Sequence, residues 1–471
     1  MGMSVWKLVQ VAANNRFVSL LIVATSLSLI IFCSYLPSSS DQDEGGQNSG
    51  IHDLIPPSLN TSELLAGWNS NVSMEFNTSQ LNESFSQEEA SLVVEGIKET
   101  PVQMTQSSPQ CDIYSGKWVY DGSYPLYPAG ECPYMTGDFN CKGNGRQDSD
   151  YTKWRWQPTH CNLPRLNATD MLERLRGKRM MFIGDSLNRN QWESLLCILS
   201  TVVPQDRKYF GRSKDGGATS FVAQDYNCSV EFFWAPFLVE QDSINVGNKS
   251  KAILRLDAIE KHGAYWRDAD ILVFNSAHWW THGNKEDSRY FYMEGDYLHP
   301  QLDPLVAFKR GLTTWASWID QMIDPTKTRV FFRGFSPTHF SSRQWNKPKG
   351  YKCNFETQPI LEESFTNPYP DRMKMVEEVL RKMKFHVSLL NITTISDFRK
   401  DAHPSVYTLR GKKKLTQEQR NNPDKFGDCS HWCLPGLPDI WNELLYNYLL
   451  TLTQTYGCDF PSYVTGEKNI I

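Results

Sequence analysis

Gly184, Asp185 and Ser186 stand directly after an apolar run, Met180-Met181-Phe182-Ile183, and ahead of text with helical spacing. That order puts a serine hydroxyl at the carboxyl end of a buried strand, the edge where α/β sheets hold their chemistry. Far along the chain, Asp428-Cys429-Ser430-His431 sets a carboxylate three residues before an imidazole. An alcohol, an imidazole and a carboxylate are the parts of nucleophilic acyl transfer: His431 takes the proton from Ser186, and Asp428 orients the other ring nitrogen. Gly-Asp-Ser alone arises by chance in many chains; paired with a late Asp-x-x-His it becomes specific. Acyl transfer also needs donors for the developing oxyanion. The Ser186 backbone N–H, opening a helix, is one. Asn275, closing the apolar run Ile271–Phe274, is either a second donor or the cap of a strand-end turn. Arg189, three residues past the serine, either binds substrate or braces the active-site loop. Asp185 is assigned to the turn itself.

These groups need elements to hold them. Arg179–Ile183 reads as a strand, and Trp192, Leu195, Leu196 and Leu199 recur at helical spacing, which predicts a helix over Asn190–Leu199 behind the serine. Further strands are expected at Ser229–Trp234, Ile271–Phe274, Val330–Phe332 and Phe385–Asn391, and helices at Leu305–Ile323, Asp371–Lys384 and Asp439–Gln454. Strands alternating with helices predict a three-layer α/β/α sandwich with a mainly parallel sheet. Cys111 to Cys161 is dense in Cys, Gly, Pro, Trp and Tyr without a period; it reads as a loop-rich region stapled by disulfides and packed on the domain. Trp279 and Trp280 follow the Ile271–Phe274 strand, where flat rings suit the C–H face of a sugar, although a chain with fifteen tryptophans also places many in its core. His278 and His282 have the spacing of a helical metal pair, but no Glu follows the first and a loop is expected there. His339 is a weaker second candidate for the base. Lys412-Lys413-Lys414 reads as a solvated cationic loop.

Composition sets the compartment. The net charge of −5 predicts no nucleic-acid partner. Residues 1–16 carry Lys7 and Arg16 and no acid, and Phe17 to Leu36 is free of charge and long enough to cross a bilayer. Asp41, Asp43 and Glu44 follow, so the positive-inside rule predicts an uncleaved anchor with a cytosolic tail at 1–16 and a luminal remainder. Residues 37–110, rich in Ser, Asn, Gln and Glu, are expected to form a disordered, glycosylated stem, and residues 111–471 the catalytic domain. Sequons at Asn60, Asn71, Asn77, Asn82, Asn167, Asn227, Asn248 and Asn391 agree with the luminal side. So do ten cysteines beyond the anchor, which read as disulfides; a zinc site at Cys429-x3-Cys433 lacks a matching partner set. Disulfides at Cys429 and Cys433 would pin the loop that bears His431.

The stretches Gly184-Asp185-Ser186-Leu187-Asn188-Arg189-Asn190-Gln191-Trp192 and Asp428-Cys429-Ser430-His431-Trp432-Cys433-Leu434-Pro435-Gly436, with Cys111-Asp112, Gly116, Trp118-Val119 and Trp154-Arg155-Trp156-Gln157-Pro158, resemble the plant trichome-birefringence-like proteins. The likeness runs from about Cys111 to the C-terminus. It implies a fold like that of the SGNH/GDSL hydrolases and a polysaccharide O-acetyltransferase, held in the Golgi membrane by one helix with its catalytic domain luminal. It implies a cell-wall acceptor, xylan first. The acetyl donor would be acetyl-CoA or another carrier, delivered with the help of supply proteins. No bound cofactor or metal is expected. The resemblance further implies the pairings Cys111–Cys161, Cys132–Cys197, Cys141–Cys433 and Cys353–Cys429, which leave Cys228 and Cys458 over. An esterase with the same triad, or a wall-glycan (pectin) binding protein without activity, are the rival readings.

Overall fold

The structure is a computed structural model that describes residues 111–454 apart from 213–216, 248, 281–289, 346–351 and 363. Its centre is a seven-stranded sheet ordered Val387–Leu390, Arg329–Arg333, Ile271–Phe274, Arg179–Gly184, Cys228–Trp234, Thr219–Ala223, Lys208–Arg212. The first five are parallel to their neighbours and the last two antiparallel. Along Arg179–Gly184, successive side chains point to opposite faces. Met180 and Phe182 enter one core, with the helices Ala168–Arg174, Ser186–Leu199 and Leu437–Gln454; Met181 and Ile183 enter the other, with Pro304–Met322 and Asp371–Lys382. A strand covered on both faces must be apolar throughout, which is why this run shows no alternation of polar and apolar residues. The expected three-layer sandwich is therefore present.

Boundaries shift in informative ways. The helix behind the serine starts at Ser186 itself, four residues earlier than its apolar period shows. Asp185 caps it by accepting a hydrogen bond from the Leu187 N–H at 2.9 Å. The strand expected at Phe385–Asn391 is limited to Val387–Leu390. A second sheet, ordered Tyr297–His299, Tyr290–Glu294, Lys249–Ile259, Val239–Val246, and the antiparallel strands Thr219–Ala223 and, at the edge, Lys208–Arg212 escape a periodicity reading. Lys208–Arg212 is largely exposed and is charged at both ends, as a sheet edge that avoids further pairing should be.

The region from Cys111 to Cys161 contributes one antiparallel pair of short strands, Gly116–Tyr120 against Trp154–Pro158, and little else regular. It shares a third core with the catalytic elements: Trp118, Tyr124, Tyr151 and Trp156 pack with Leu187, Trp432, Leu437 and Trp441. All four pairings implied by the resemblance are present, Cys111–Cys161, Cys132–Cys197, Cys141–Cys433 and Cys353–Cys429. Cys228 is a buried free thiol. Cys458 lies outside the described residues.

The Golgi placement expected from the sequence is corrected. Among the described residues no helix is long and apolar enough to cross a membrane. The tail at 1–16, the expected anchor at 17–36 and the stem at 37–110 all lie outside the described residues. The longest described helices pack against the cores of the domain: Pro304–Met322 through Ala307, Phe308, Leu312, Trp315 and Ile319, and Leu437–Gln454 through Trp441, Leu444 and Leu445. A single-pass type II Golgi localisation is withdrawn on that ground.

Candidate active site

Gly184 is where the backbone geometry of the site is decided. Its φ is +156°, and a Cβ placed there would stand 1.8 Å from Asn275 Oδ1 and 2.6 Å from the Asn275 carbonyl oxygen. Only glycine lets the two neighbouring strands close this tightly. Across the gap Asn275 clasps the turn: its Oδ1 accepts the Asp185 N–H at 3.1 Å, and its Nδ2 donates to Asp185 Oδ1 at 2.8 Å. Asn275 is thus buried as a fastener of the turn. Burial would push the Asp185 carboxyl up, but His278, Arg333 and Asn275 outweigh it and hold the group below the ordinary carboxylate range. A buried anion at the helix start also completes the cap.

Ser186 Oγ lies 2.7 Å from His431 Nε2, and His431 Nδ1 lies 2.8 Å from Asp428 Oδ2. The other oxygen of Asp428 accepts the N–H groups of Ser430 and His431 at 2.9 and 3.0 Å. Burial opposes charge on Asp428, but His431 and these N–H donors more than offset it, and the carboxyl sits below its usual range. An ionised Asp428 only accepts, so Nδ1 carries the ring proton and Nε2 presents its lone pair to the serine hydroxyl. For His431, burial pulls the pKa down, yet Asp428 reverses the balance and raises it. The imidazole is 26 % exposed.

Four groups that the sequence reading passed over hold this geometry. Asn190, one turn past Ser186, donates from Nδ2 to the Trp432 carbonyl at 3.1 Å and accepts the Trp432 N–H at 2.9 Å, tying the helix of Ser186 to the loop of His431. Asn188 donates to the carbonyls of Ile183 and Val273 and so links two strand ends. His403 donates from Nδ1 to the His431 carbonyl at 2.7 Å and stacks on Trp432 at 3.9 Å. Phe139 lies 5.5 Å from the His431 ring, beneath the Arg189 guanidinium. Asparagine at a helix i+4 position was the one legible signal among these, since a buried amide in a helix needs a partner outside it.

The remaining expected residues sort as follows. Arg189 pairs with Asp138 at 3.3 Å and lies over the Phe139 ring, the bracing role. His339 is buried with Nδ1 2.6 Å from His403 Nε2, and it is His431 whose ring meets Ser186. Trp280 is corrected as a glycan contact: its ring is buried against Phe237, Phe308 and Tyr292, and its N–H donates to Ser276. Gly311 of the helix beyond leaves room for the ring tip, which explains why this tryptophan turns inward. Trp279 stays partly buried at the active edge, edge-on to Trp234. His282 lies outside the described residues, and among the described residues no group of three His, Cys, Asp or Glu side chains is placed to hold a metal.

Comparison with known proteins agrees with this architecture. Residues 163–448 match the GDSL/SGNH-like acyl-esterase family found in Pmr5 and Cas1p, and residues 109–162 match the PMR5 N-terminal domain. The chain is 46 % identical to protein trichome birefringence of Arabidopsis thaliana, over 76 % of its own length and 59 % of that protein's. It is 44 % identical to protein trichome birefringence-like 3 of the same plant, over 72 % and 79 %. It is also 44 % identical to xylan O-acetyltransferase 6 of Oryza sativa subsp. japonica, over 71 % and 62 %. Some of these relatives are thus covered over less than two thirds of their length. The chain belongs to the GDSL/SGNH-like acyl-esterase family found in Pmr5 and Cas1p, among its trichome birefringence-like members.

Proposed function

We propose that this chain is a polysaccharide O-acetyltransferase that works through an acetyl ester on Ser186, with a cell-wall glycan, xylan first, as acceptor. The observation that carries the reading is the continuous hydrogen-bonded line from Ser186 Oγ through His431 to Asp428, at 2.7 and 2.8 Å. Membership of an acyl-esterase family and likeness to a protein named for xylan O-acetylation support the reaction class and the acceptor. In the first half-reaction Ser186 Oγ attacks the acetyl carbonyl of the donor while its proton passes to His431 Nε2. The donor's leaving group departs with that proton. In the second, a sugar hydroxyl gives its proton to Nε2 and attacks the acetyl-serine; the proton then returns to Ser186 Oγ as the ester bond to the enzyme breaks. Asp428 steadies the imidazolium both times. The Ser186 N–H, first in its helix and without an intrahelical acceptor, and the spare hydrogen of the Asn275 amide serve as oxyanion donors.

Family membership alone also fits hydrolysis, in which water takes the sugar's place. Mass spectrometry of the full chain with an acetyl donor alone should find one acetyl group on the peptide containing Ser186. Unacetylated oligosaccharide should then clear it with gain of acetyl on the sugar. Clearance by buffer as fast as by sugar makes the protein an esterase; product without the serine ester removes the covalent mechanism.

A further inference from the structure

Three neighbouring strands of the central sheet, Ile271–Phe274, Arg179–Gly184 and Cys228–Trp234, end at the active edge, with the nucleophile's strand in the middle. Trp234 closes one outer strand and is directly opposite Gly184 in the parallel register; the next residue's N–H donates to the Gly184 carbonyl at 2.9 Å. Trp279 follows the other outer strand. Strands in a sheet are about 4.8 Å apart, so the outer two are separated by about 10 Å. Yet the two indoles meet, centroids 5.5 Å apart and planes at 88°. The pair therefore reaches across the end of the strand that carries Gly184, Asp185 and Ser186.

The two rings are unequal. Trp279 is partly buried and packs edge-on against Phe237 of the core. Trp234 is 43 % exposed, and among the described large apolar residues with such exposure it alone ends a strand beside the nucleophile's. Trp279, wedged into the core, holds the open indole in one orientation. A fixed, flat, uncharged face beside an acyl-transfer serine matches the apolar C–H face of a pyranose, whose hydroxyls project at its rim.

Resting on the acetyltransferase reading for its choice of ligand, we infer that Trp234 is the platform on which a pyranose ring of the acceptor polysaccharide stacks next to Ser186, and that Trp279 is its brace. A ring seated there places its hydroxyls toward the nucleophile and keeps bulk water off the acyl-serine.

The test is calorimetric titration of the full chain carrying Ser186→Ala, which stops turnover, with unacetylated xylan, glucomannan and pectin oligosaccharides. At least one should bind. Adding Trp234→Ala should weaken it about tenfold or more, while Trp234→Phe should stay within about threefold, because a flat ring is kept. An unchanged thermal midpoint separates loss of contact from loss of fold; if the alanine variant unfolds, Trp234→Leu, which fills space without a flat face, takes its place with the same expected loss. Absence of binding to every oligosaccharide, or affinity within about twofold of the parent for the alanine or leucine variant, overturns the platform. Sugar bound through Trp234 but never acetylated by the unmutated chain would instead refute the transferase reading and leave the platform standing.

Discussion

Asp428→Asn isolates the orienting carboxylate of the proposed triad. Asp428 accepts three N–H groups, from Ser430, from the His431 backbone and from His431 Nδ1, and donates none. Asparagine keeps one accepting oxygen and turns the other into a donor. If the oxygen serves the two backbone N–H groups, the new NH2 faces Nδ1, which must then accept. The ring proton moves to Nε2, and the nitrogen 2.7 Å from Ser186 Oγ can no longer take the serine's proton. If the amide flips, its NH2 confronts two backbone donors and the loop holding His431 loosens. The first arrangement keeps three hydrogen bonds and should prevail. The wrong tautomer then costs about 10⁴-fold in turnover, near 5.5 kcal/mol of transition-state stabilisation, with little loss of fold. The pH dependence adds a second signature. Asp428 raises the pKa of His431, and the base must be neutral to act, so wild-type activity falls as pH drops through that raised value. In the asparagine variant the remaining activity should hold to lower pH. The assay is the rate of Ser186 acetylation from a small acetyl ester between pH 4 and 8, read by mass spectrometry alongside circular dichroism. A folded Asp428→Asn protein acetylated within about tenfold of wild type would refute the assignment.

Gly184→Ala should lower stability by about 4 kcal/mol in urea titration, since its Cβ evicts the Asn275 side chain and with it two buried hydrogen bonds to Asp185; a midpoint equal to wild type would show that the strands can part freely. Glu443, buried against Tyr124, has its carboxyl pushed up by burial from 4.5 to about 8. Its ionisation opposes folding not at all below pH 4.5 and increasingly as pH climbs to about 8. Glu443→Gln should therefore unfold at higher temperature than wild type at pH 8 and at the same temperature at pH 4, and parallel curves at both pH values would contradict this. Paired Cys353→Ser and Cys429→Ser removes the bridge next to Asp428; stability should drop by about 2–5 kcal/mol with slower Ser186 acetylation, and unchanged acetylation would mean the loop is held without it.

The central sheet was legible because strands buried on both faces leave unbroken apolar text and the helices between them carry a clear 3.6-residue period. The candidate site was legible because Ser186, Asp428 and His431 lie in short motifs whose residue types have few other uses together. The second sheet was not: Val239–Val246 reads Val-Glu-Gln-Asp-Ser-Ile-Asn-Val, with Val239 buried and Glu240 to Asn245 half-buried or exposed, so no clear alternation is written into it. Trp279 and Trp280 were indistinguishable in sequence, because the neighbour that separates them, Gly311, lies on a helix far along the chain. Trp234 looked like the end of an ordinary strand; only the register across to Gly184 gives its position meaning. Asn190 was legible only as an amide one turn into a helix; its partners, like that of His403, are backbone atoms of the loop bearing His431, and a carbonyl or an N–H has no letter in the sequence.

Two of the bridges share one short stretch. Cys132 is joined to Cys197 in the serine's helix, and Cys141 to Cys433 beside the base. The long span between Cys197 and Cys353 contains no cysteine of a described bridge except by way of these ends. A protease that nicks the chain once in that span would therefore release nothing: the amino-terminal fragment, with Ser186, remains covalently fastened through Cys141 to the carboxyl-terminal fragment, with His431. On a non-reducing gel such a nicked molecule would run as one species, and the two catalytic halves would part company only when thiol is added.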